Sequence, residues 1–114
     1  MAFQLDHLIL KVNDAAASVA FFTTILGFED GGKDGPFSVV RVSPACTLQL
    51  APWGTSGGDH LAFAMSRAEF DVVFERLRAA SVPYGDSFHA VGNMHDPGDE
   101  VGALEARLAR DRVH

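Results

Sequence analysis

Two histidines occur in the same local context in this chain. Residues 6–12 read Asp-His-Leu-Ile-Leu-Lys-Val and residues 59–65 read Asp-His-Leu-Ala-Phe-Ala-Met, so His7 and His60 hold equivalent places in a repeated segment. A single strand histidine is more often structural, but imidazole is also the commonest side-chain ligand of first-row transition metals. The repeat therefore predicts that His7 and His60 face one cavity, where they would supply two ligands of a metal site.

The elements that would position these histidines are repeated as well. Each histidine stands near the start of a predicted strand, and each strand is followed by a capping residue and an amphipathic helix. In the first copy the predicted strands cover residues 5–12, 37–42 and 47–51, with a short extra strand around 28–31 and a helix over 15–26. In the second copy the predicted strands cover residues 59–65 and 87–91, with a helix over 67–80. This order predicts an α+β fold built from two β-α modules.

Alternation along the strands indicates which side chains share a face. In the second copy, the face that carries His60 otherwise carries only alanines, whereas the opposite face carries large apolar side chains. This asymmetry suits a cavity in front of the sheet and a helix packed behind it. Leucines flank Gln49 in the strand over 47–51, so the leucines are expected in the core and Gln49 on the cavity face with the histidines.

Composition narrows the classes of partner. The chain has 114 residues, 47% of them apolar, with a formal net charge of −6. This acidic charge balance argues against the basic surface that nucleic-acid binding requires, and no apolar stretch is long enough to span a membrane. Cys46 is the only cysteine and cannot form an internal disulfide. A reducing, cytoplasmic setting is therefore expected.

The repeat resembles the vicinal oxygen chelate superfamily, which includes glyoxalases, extradiol dioxygenases, fosfomycin-resistance transferases and bleomycin-binding proteins. The resemblance covers residues 3–102 and consists of Leu-Asp-His-Leu, a helix followed by Leu-Gly-Phe, a Gly-rich link and the second Asp-His-Leu. It implies paired βαβββ modules that curl a mixed sheet around a cavity, often with modules exchanged in a homodimer. It also implies a divalent metal (Fe, Mn, Zn or Ni) bound by His7 and His60, with Gln49 contacting metal or substrate.

The C-terminal region departs from the family pattern. Family members usually follow an Asp-Pro-x-Gly turn with a final strand, whose glutamate completes a 2-His-1-carboxylate site. Residues 96–98 read Asp-Pro-Gly, but residues 102–112 are rich in strong helix formers and are predicted to be helical or frayed. The second module is therefore predicted to be incomplete. Glu105, and after it Glu100, are the candidate replacements for the third ligand.

The predicted organisation is a single domain over residues 1–114. It comprises a first module at about 3–52, a linker at 53–58, a second module at about 59–102 and an atypical tail at 103–114. A missing strand would leave an unpaired sheet edge, so a homodimer is expected. The side chains expected to contact a small-molecule ligand are Phe37, Arg41, Gln49, Trp53 and His89.

Three functional interpretations are compatible with the residues. In the first, the protein is a lyase-like or dioxygenase-like enzyme, whose metal polarises two adjacent oxygens of a small substrate. In the second, it is a metal-free protein that binds a small aromatic or drug-like molecule in the same cavity. In the third, it is an inactive remnant of such an enzyme. The first needs a third protein ligand, and the second needs only the cavity.

Overall fold

The computed structural model describes residues 2–56, 59, 61–82 and the backbone of 103–105. The chain divides into two compact units, residues 1–57 with 109–114, and residues 58–108. Both units contain strands, and each contains one described helix, which confirms the predicted α+β class. No helix among these residues is long and apolar enough to cross a membrane.

The first unit is built on a four-stranded mixed sheet. Its elements are β1 (His7–Lys11), α1 (Ala15–Thr24), β2 (Glu29–Asp34), β3 (Phe37–Ser43) and β4 (Cys46–Ala51). The strand order is β1-β4-β3-β2, in which β1 pairs with β4 in parallel and the other pairs are antiparallel. The predicted βαβββ order of the first module is confirmed, and the short strand expected around residue 28 extends as far as Asp34.

Helix α1 covers one side of this sheet. Asp14 caps its first turn by accepting a hydrogen bond from the backbone N–H of Ala17 at 3.0 Å. Phe21 and Phe22 on the helix are buried, as are the side chains on the core side of the strands, Val40, Leu48 and Leu50. Burial of these apolar side chains is the main favourable contribution to folding of this unit.

The second unit contains β5 (Ala62–Ala64), α2 (Arg67–Ala79) and β6 (Ala103–Glu105). Ser66 and Glu69 form a capping box at the start of α2, in which each side chain hydrogen-bonds the backbone N–H of the other residue. The hydrogen bond that the Ser66 backbone N–H donates to the Glu69 carboxylate lowers the pKa of Glu69, and the Ser66 side chain lowers it further. Phe70, Val73 and Leu77 form the buried stripe of α2.

The prediction of a helix over residues 102–112 is wrong at residues 103–105. These residues form β6, which pairs antiparallel with β5. A sheet partner overrides helix propensity, because the hydrogen bonds of a β-ladder outweigh differences of about 0.5 kcal/mol per residue in propensity. Strand β6 begins the segment assigned to an atypical tail, so that segment contributes to the second sheet. The strand expected over residues 87–91 lies outside the described residues.

Candidate functional site

The sheet of the first unit has one apolar core face and one accessible face. Leu48 and Leu50 lie on the core face and are 2% and 0% exposed, whereas Ile9 on the other face is 51% exposed. We call this second face the open face. By register and alternation it includes the following residues: His7, Ile9, Lys11, Phe37, Val39, Arg41, Thr47 and Gln49. Gln49 thus lies on the same face as His7, as alternation in the sequence indicates.

His7 stands at the first position of β1 and is held by its neighbour in sequence. Its Nδ1 lies 2.8 Å from Oδ2 of Asp6, and its side chain is 49% exposed. An ionised carboxylate accepts hydrogen bonds and cannot donate them, so Nδ1 carries the proton in this contact and Nε2 of a neutral ring keeps its lone pair. This is the arrangement found in metal-binding histidines, where a carboxylate orients the ring and raises its basicity as a ligand.

Asp6 was not singled out in the sequence as a functional residue. The signal that could have identified it is the repeat itself, because an aspartate precedes the histidine in both copies. Asp59 is exposed at the corresponding place in the second unit. His60 lies outside the described residues.

Strand β6 gives Glu105 a defined place in the second unit. Glu105 is the register partner of Ala62, and Ala103 is the partner of Ala64. In the sequence, Ala62 follows His60 by two positions, the spacing at which strand residues share a face.

Gln49 occupies the middle of the open face. It is the register partner of Ile9 on β1 and of Val39 on β3. Its Nε2 donates a hydrogen bond to Oδ2 of Asp34 at 3.3 Å, which connects the centre of the sheet to the end of β2. Gln49 is half-buried, so its amide is held and still accessible to a ligand.

Arg41 lies in the same transverse row of the sheet as His7. His7 pairs with Thr47, Thr47 pairs with Arg41, and Arg41 pairs with Glu29. The Nε of Arg41 lies 3.8 Å from Oε1 of Glu29, and the two side chains are 44% and 75% exposed. An ion pair this long and this exposed contributes little to stability.

Phe37 and Trp53 form an aromatic pair at the other end of the sheet. Their ring centroids are 5.6 Å apart with an interplanar angle of 59°. Trp53 is 57% exposed, although its turn is fixed to the β1–α1 connection. The backbone N–H of Gly54 donates to the carbonyl of Val12 at 3.0 Å, and that of Thr55 donates to Oδ1 of Asn13 at 2.8 Å.

These residues occupy three places within the first unit. His7 and Arg41 lie in one row, Gln49 is central, and Phe37 with Trp53 lies at the opposite end. Among the described residues no three His, Cys, Asp or Glu side chains come close enough to hold a metal ion. His60, the side chain of Glu105 and the whole of His89 and Glu100 fall outside that description.

Comparison with known proteins gives consistent matches. A family model described as the Glyoxalase/Bleomycin resistance protein/Dioxygenase superfamily matches residues 4–111. The solved structure of Oxidase ChaP-H2 is 33% identical, with a TM-score of 0.72 over 81% of this chain and 75% of that one. For Oxidase ChaP-H1 the identity is 29% and the TM-score 0.70, over 91% of this chain and 94% of that one.

A third solved structure shares the fold alone. It is the integron cassette protein HFX_CASS4 from the mobile metagenome of the Halifax Harbour sewage outfall, with 21% identity and a TM-score of 0.54 over 90% of this chain and 97% of that one. No curated protein matches the chain. The family model covers nearly the whole sequence, including both Asp-His repeats and β6. This chain therefore belongs to the Glyoxalase/Bleomycin resistance protein/Dioxygenase superfamily.

Proposed function

We propose that the chain is a metal-dependent oxidase that acts on a small organic substrate with two adjacent oxygen atoms. His7, His60 and Glu105 are its proposed metal ligands. The observation that carries this proposal is the pairing of β6 with β5, because it makes Glu105 a strand residue at a defined register. The proposal also draws on the similarity to two proteins named as oxidases, at 33% and 29% identity.

The register of β6 supports Glu105 as the carboxylate ligand. Directly opposite residues of an antiparallel pair lie on the same face, and so do residues two apart on one strand. Glu105 is opposite Ala62, so the register assigns these two positions to one face of the ladder. In the sequence, His60 precedes Ala62 by two positions, and the proposal takes His60 to continue the alternation of β5. A helical tail, as expected from composition, would have removed this argument.

The contact between Asp6 and His7 supports the first ligand. The carboxylate at 2.8 Å selects the tautomer in which Nε2 can coordinate a metal, and it fixes the plane of the ring. Two imidazoles and one carboxylate form the donor set of non-haem Fe(II) oxygenases and also suit Mn, Zn or Ni. The residues of this chain therefore fit the metal that the family implies.

A divalent ion at these ligands would supply Lewis-acid and redox chemistry to a bound pair of substrate oxygens. The protein's own contribution is binding and orientation. Gln49, held by Asp34, offers an amide to a polar group of the substrate at the centre of the open face. Ile9 and Val39 flank Gln49 and offer an apolar surface to the substrate's carbon skeleton.

Metal binding tests this proposal directly. Protein purified without a chelator or a histidine tag should bind one Mn(II) or Fe(II) per chain, measured by elemental analysis and calorimetry. The variants His7→Ala, His60→Ala and Glu105→Gln should each lower the affinity by at least about tenfold, because each loses a ligand. The matched controls His114→Ala and Glu75→Gln should leave it unchanged.

Two outcomes would contradict the assignment. If the wild-type chain takes up no divalent metal, the proposed activity is wrong. If Glu105→Gln binds metal as well as Glu75→Gln does, Glu105 is not a ligand. Oxygen uptake by the metal-loaded protein with simple catechols, lost in His7→Ala, would test the oxidase reaction itself.

A metal-free binding function is the second candidate, and the aromatic pair favours it. Trp53 keeps a large exposed indole in a fixed turn beside Phe37, an arrangement suited to stacking with a planar ligand. This candidate predicts that an aromatic ligand changes the fluorescence of Trp53, the only tryptophan, with equal affinity in wild type and His7→Ala. The metalloenzyme proposal predicts that His7→Ala weakens binding of a chelating ligand in the presence of metal.

A further inference from the structure

We propose that Arg41 is a specificity-determining residue that selects substrates bearing a carboxylate, and that Glu29 competes with this carboxylate for the guanidinium. The inference rests on the proposed function, because it takes the open face as the substrate-binding face. It assigns a substrate class, acidic molecules with a chelating pair of oxygens, to the site that begins at His7.

The register of the sheet places Arg41 at a useful distance from His7. The two residues belong to one transverse row, with Thr47 of β4 between them. Neighbouring strands lie about 4.8 Å apart, so the Cα atoms of His7 and Arg41 are separated by roughly 10 Å. Both residues belong to the open face. A single-ring substrate is long enough to place its oxygens near His7 and an acidic group near Arg41.

The guanidinium of Arg41 has unused donors. Among the described residues it makes no hydrogen bond, and its one ion pair, with Glu29, is 3.8 Å long. A guanidinium has five N–H donors in a planar fork that matches a carboxylate, and bidentate pairs of this kind are the strongest charge-assisted hydrogen bonds. The carboxylate of a ligand could make both hydrogen bonds that Glu29 does not make.

The electrostatics of the chain favour a local cation at any site that binds an acidic ligand. The net charge is −6, so an anion approaching the protein is repelled on average. Glu29 adds a local negative charge beside Arg41. Removing the positive charge of Arg41 and removing the negative charge of Glu29 should therefore have opposite effects on an anionic ligand. A structural role for Arg41 predicts no such opposition.

The test compares two probes that differ in one charge, 3,4-dihydroxybenzoate and 3,4-dihydroxybenzamide. Both carry two adjacent oxygens, and only the first carries a carboxylate. Calorimetry with the metal-free and the Mn(II)-loaded chain should show that the wild type binds the acid at least about tenfold more tightly than the amide. Arg41→Gln should abolish this preference, and Glu29→Gln should increase it by severalfold without changing the affinity for the amide.

Lys11 provides the matched control. It lies on β1 four residues after His7, at the far end of the sheet, and it is exposed. Lys11→Gln removes the same unit of charge as Arg41→Gln, so it should leave the acid preference intact if recognition is local. Arg41→Lys should retain part of the preference, because it keeps the charge and loses the planar fork. Circular dichroism of each variant checks that the fold is preserved.

Three results would overturn the inference. The first is a wild type that shows no preference for the acid, including one that binds neither probe. The second is an acid preference that survives in Arg41→Gln. The third is an acid preference that Lys11→Gln lowers as much as Arg41→Gln does. Metal binding separates this failure from that of the proposed function. If the wild type binds Mn(II) and shows no acid preference, only the role of Arg41 is wrong. If the wild type binds no Mn(II) and prefers the acid, the role of Arg41 is supported and the metalloenzyme proposal is wrong.

Discussion

At the scale of single residues, the repeated Asp-His dipeptide is the most informative feature of the chain. The histidines alone suggest ligands, and the contact between Asp6 and His7 adds the group that would prepare one of them for a metal. Alternation also predicted the face of Gln49. The hydrogen bond from Gln49 to Asp34 and the ion pair of Arg41 with Glu29 could not be predicted, because both acidic partners lie on β2.

Asp6→Asn should weaken metal binding by about tenfold while leaving the fold intact. The neutral amide keeps a hydrogen-bond acceptor for Nδ1 and loses the negative charge beside the ring, which favours a bound cation. Calorimetric titration with Mn(II) measures the effect. Asp14→Asn is a suitable control, since it removes the same charge from the same unit and asparagine caps a helix as well as aspartate does. Equal losses in the two variants would point to a general electrostatic effect.

Ser18→Ala should stabilise the protein by about 1 kcal/mol. The hydroxyl of Ser18 is fully buried in α1 and, among the described residues, has no hydrogen-bond partner. Alanine removes the unpaired group and has a higher helix propensity. Urea unfolding measures the change. Ser43→Ala should act in the opposite direction, because the Ser43 hydroxyl accepts a hydrogen bond from the backbone of Ala45. A less stable Ser18→Ala variant would show that the hydroxyl has a partner.

At the scale of elements, local signals account for most of what the sequence predicted. Alternating apolar residues located β3 and β4, and cap residues located the starts of α1 and α2. The failure at residues 103–105 has a physical cause. Strand β6 is composed of helix-favouring residues and is defined by its pairing with β5. Pairing between distant segments is a tertiary effect that a local pattern does not contain.

Ser66→Ala should destabilise α2 by about 1 kcal/mol, because it removes the hydroxyl that caps the first turn.

The capping box also gives a pH dependence with a defined sign. The pKa of Glu69 is lowered in the folded state, so its contribution to stability is present above the ordinary value of 4.5 and is lost as the pH falls through the folded value.

Urea unfolding of wild type and Glu69→Gln on both sides of pH 4.5 tests this sign. The difference in stability between the two proteins should shrink as the medium becomes acidic. Glu75→Gln, which changes an exposed glutamate in the same helix, is the control and should show a smaller dependence. If the difference in stability between wild type and Glu69→Gln grows on acidification, the assignment of Glu69 to the capping box is contradicted.

At the scale of the whole molecule, we predict that the chain is a homodimer in solution. Within the first unit β1 is an edge strand, and the segment leading into it exposes Phe3 by 88% and Leu5 by 57%. Exposed apolar side chains beside an unpaired strand edge favour association. Light scattering coupled to size-exclusion chromatography should give twice the mass of one chain at micromolar concentration.

Leu5→Lys should shift this equilibrium towards the monomer. Val72→Lys is its control, because Val72 is 49% exposed on α2, which belongs to the other unit. A monodisperse wild-type monomer would contradict the prediction, and so would equal dissociation of the two variants.

The parallel pairing of β1 with β4 has a consequence for the order in which the first unit folds. β2–β3 and β3–β4 are hairpins that close short loops, whereas β1 reaches β4 only after α1, β2 and β3 have intervened. Closing that long loop is entropically expensive, and contacts distant in sequence slow folding. The row containing His7 and Arg41 is therefore completed when β1 joins a three-stranded sheet that already exists. A nascent or partly opened chain would keep Arg41 and Gln49 on its sheet and lack His7, so the proposed metal ligand of the first unit is the last of these three residues to be positioned.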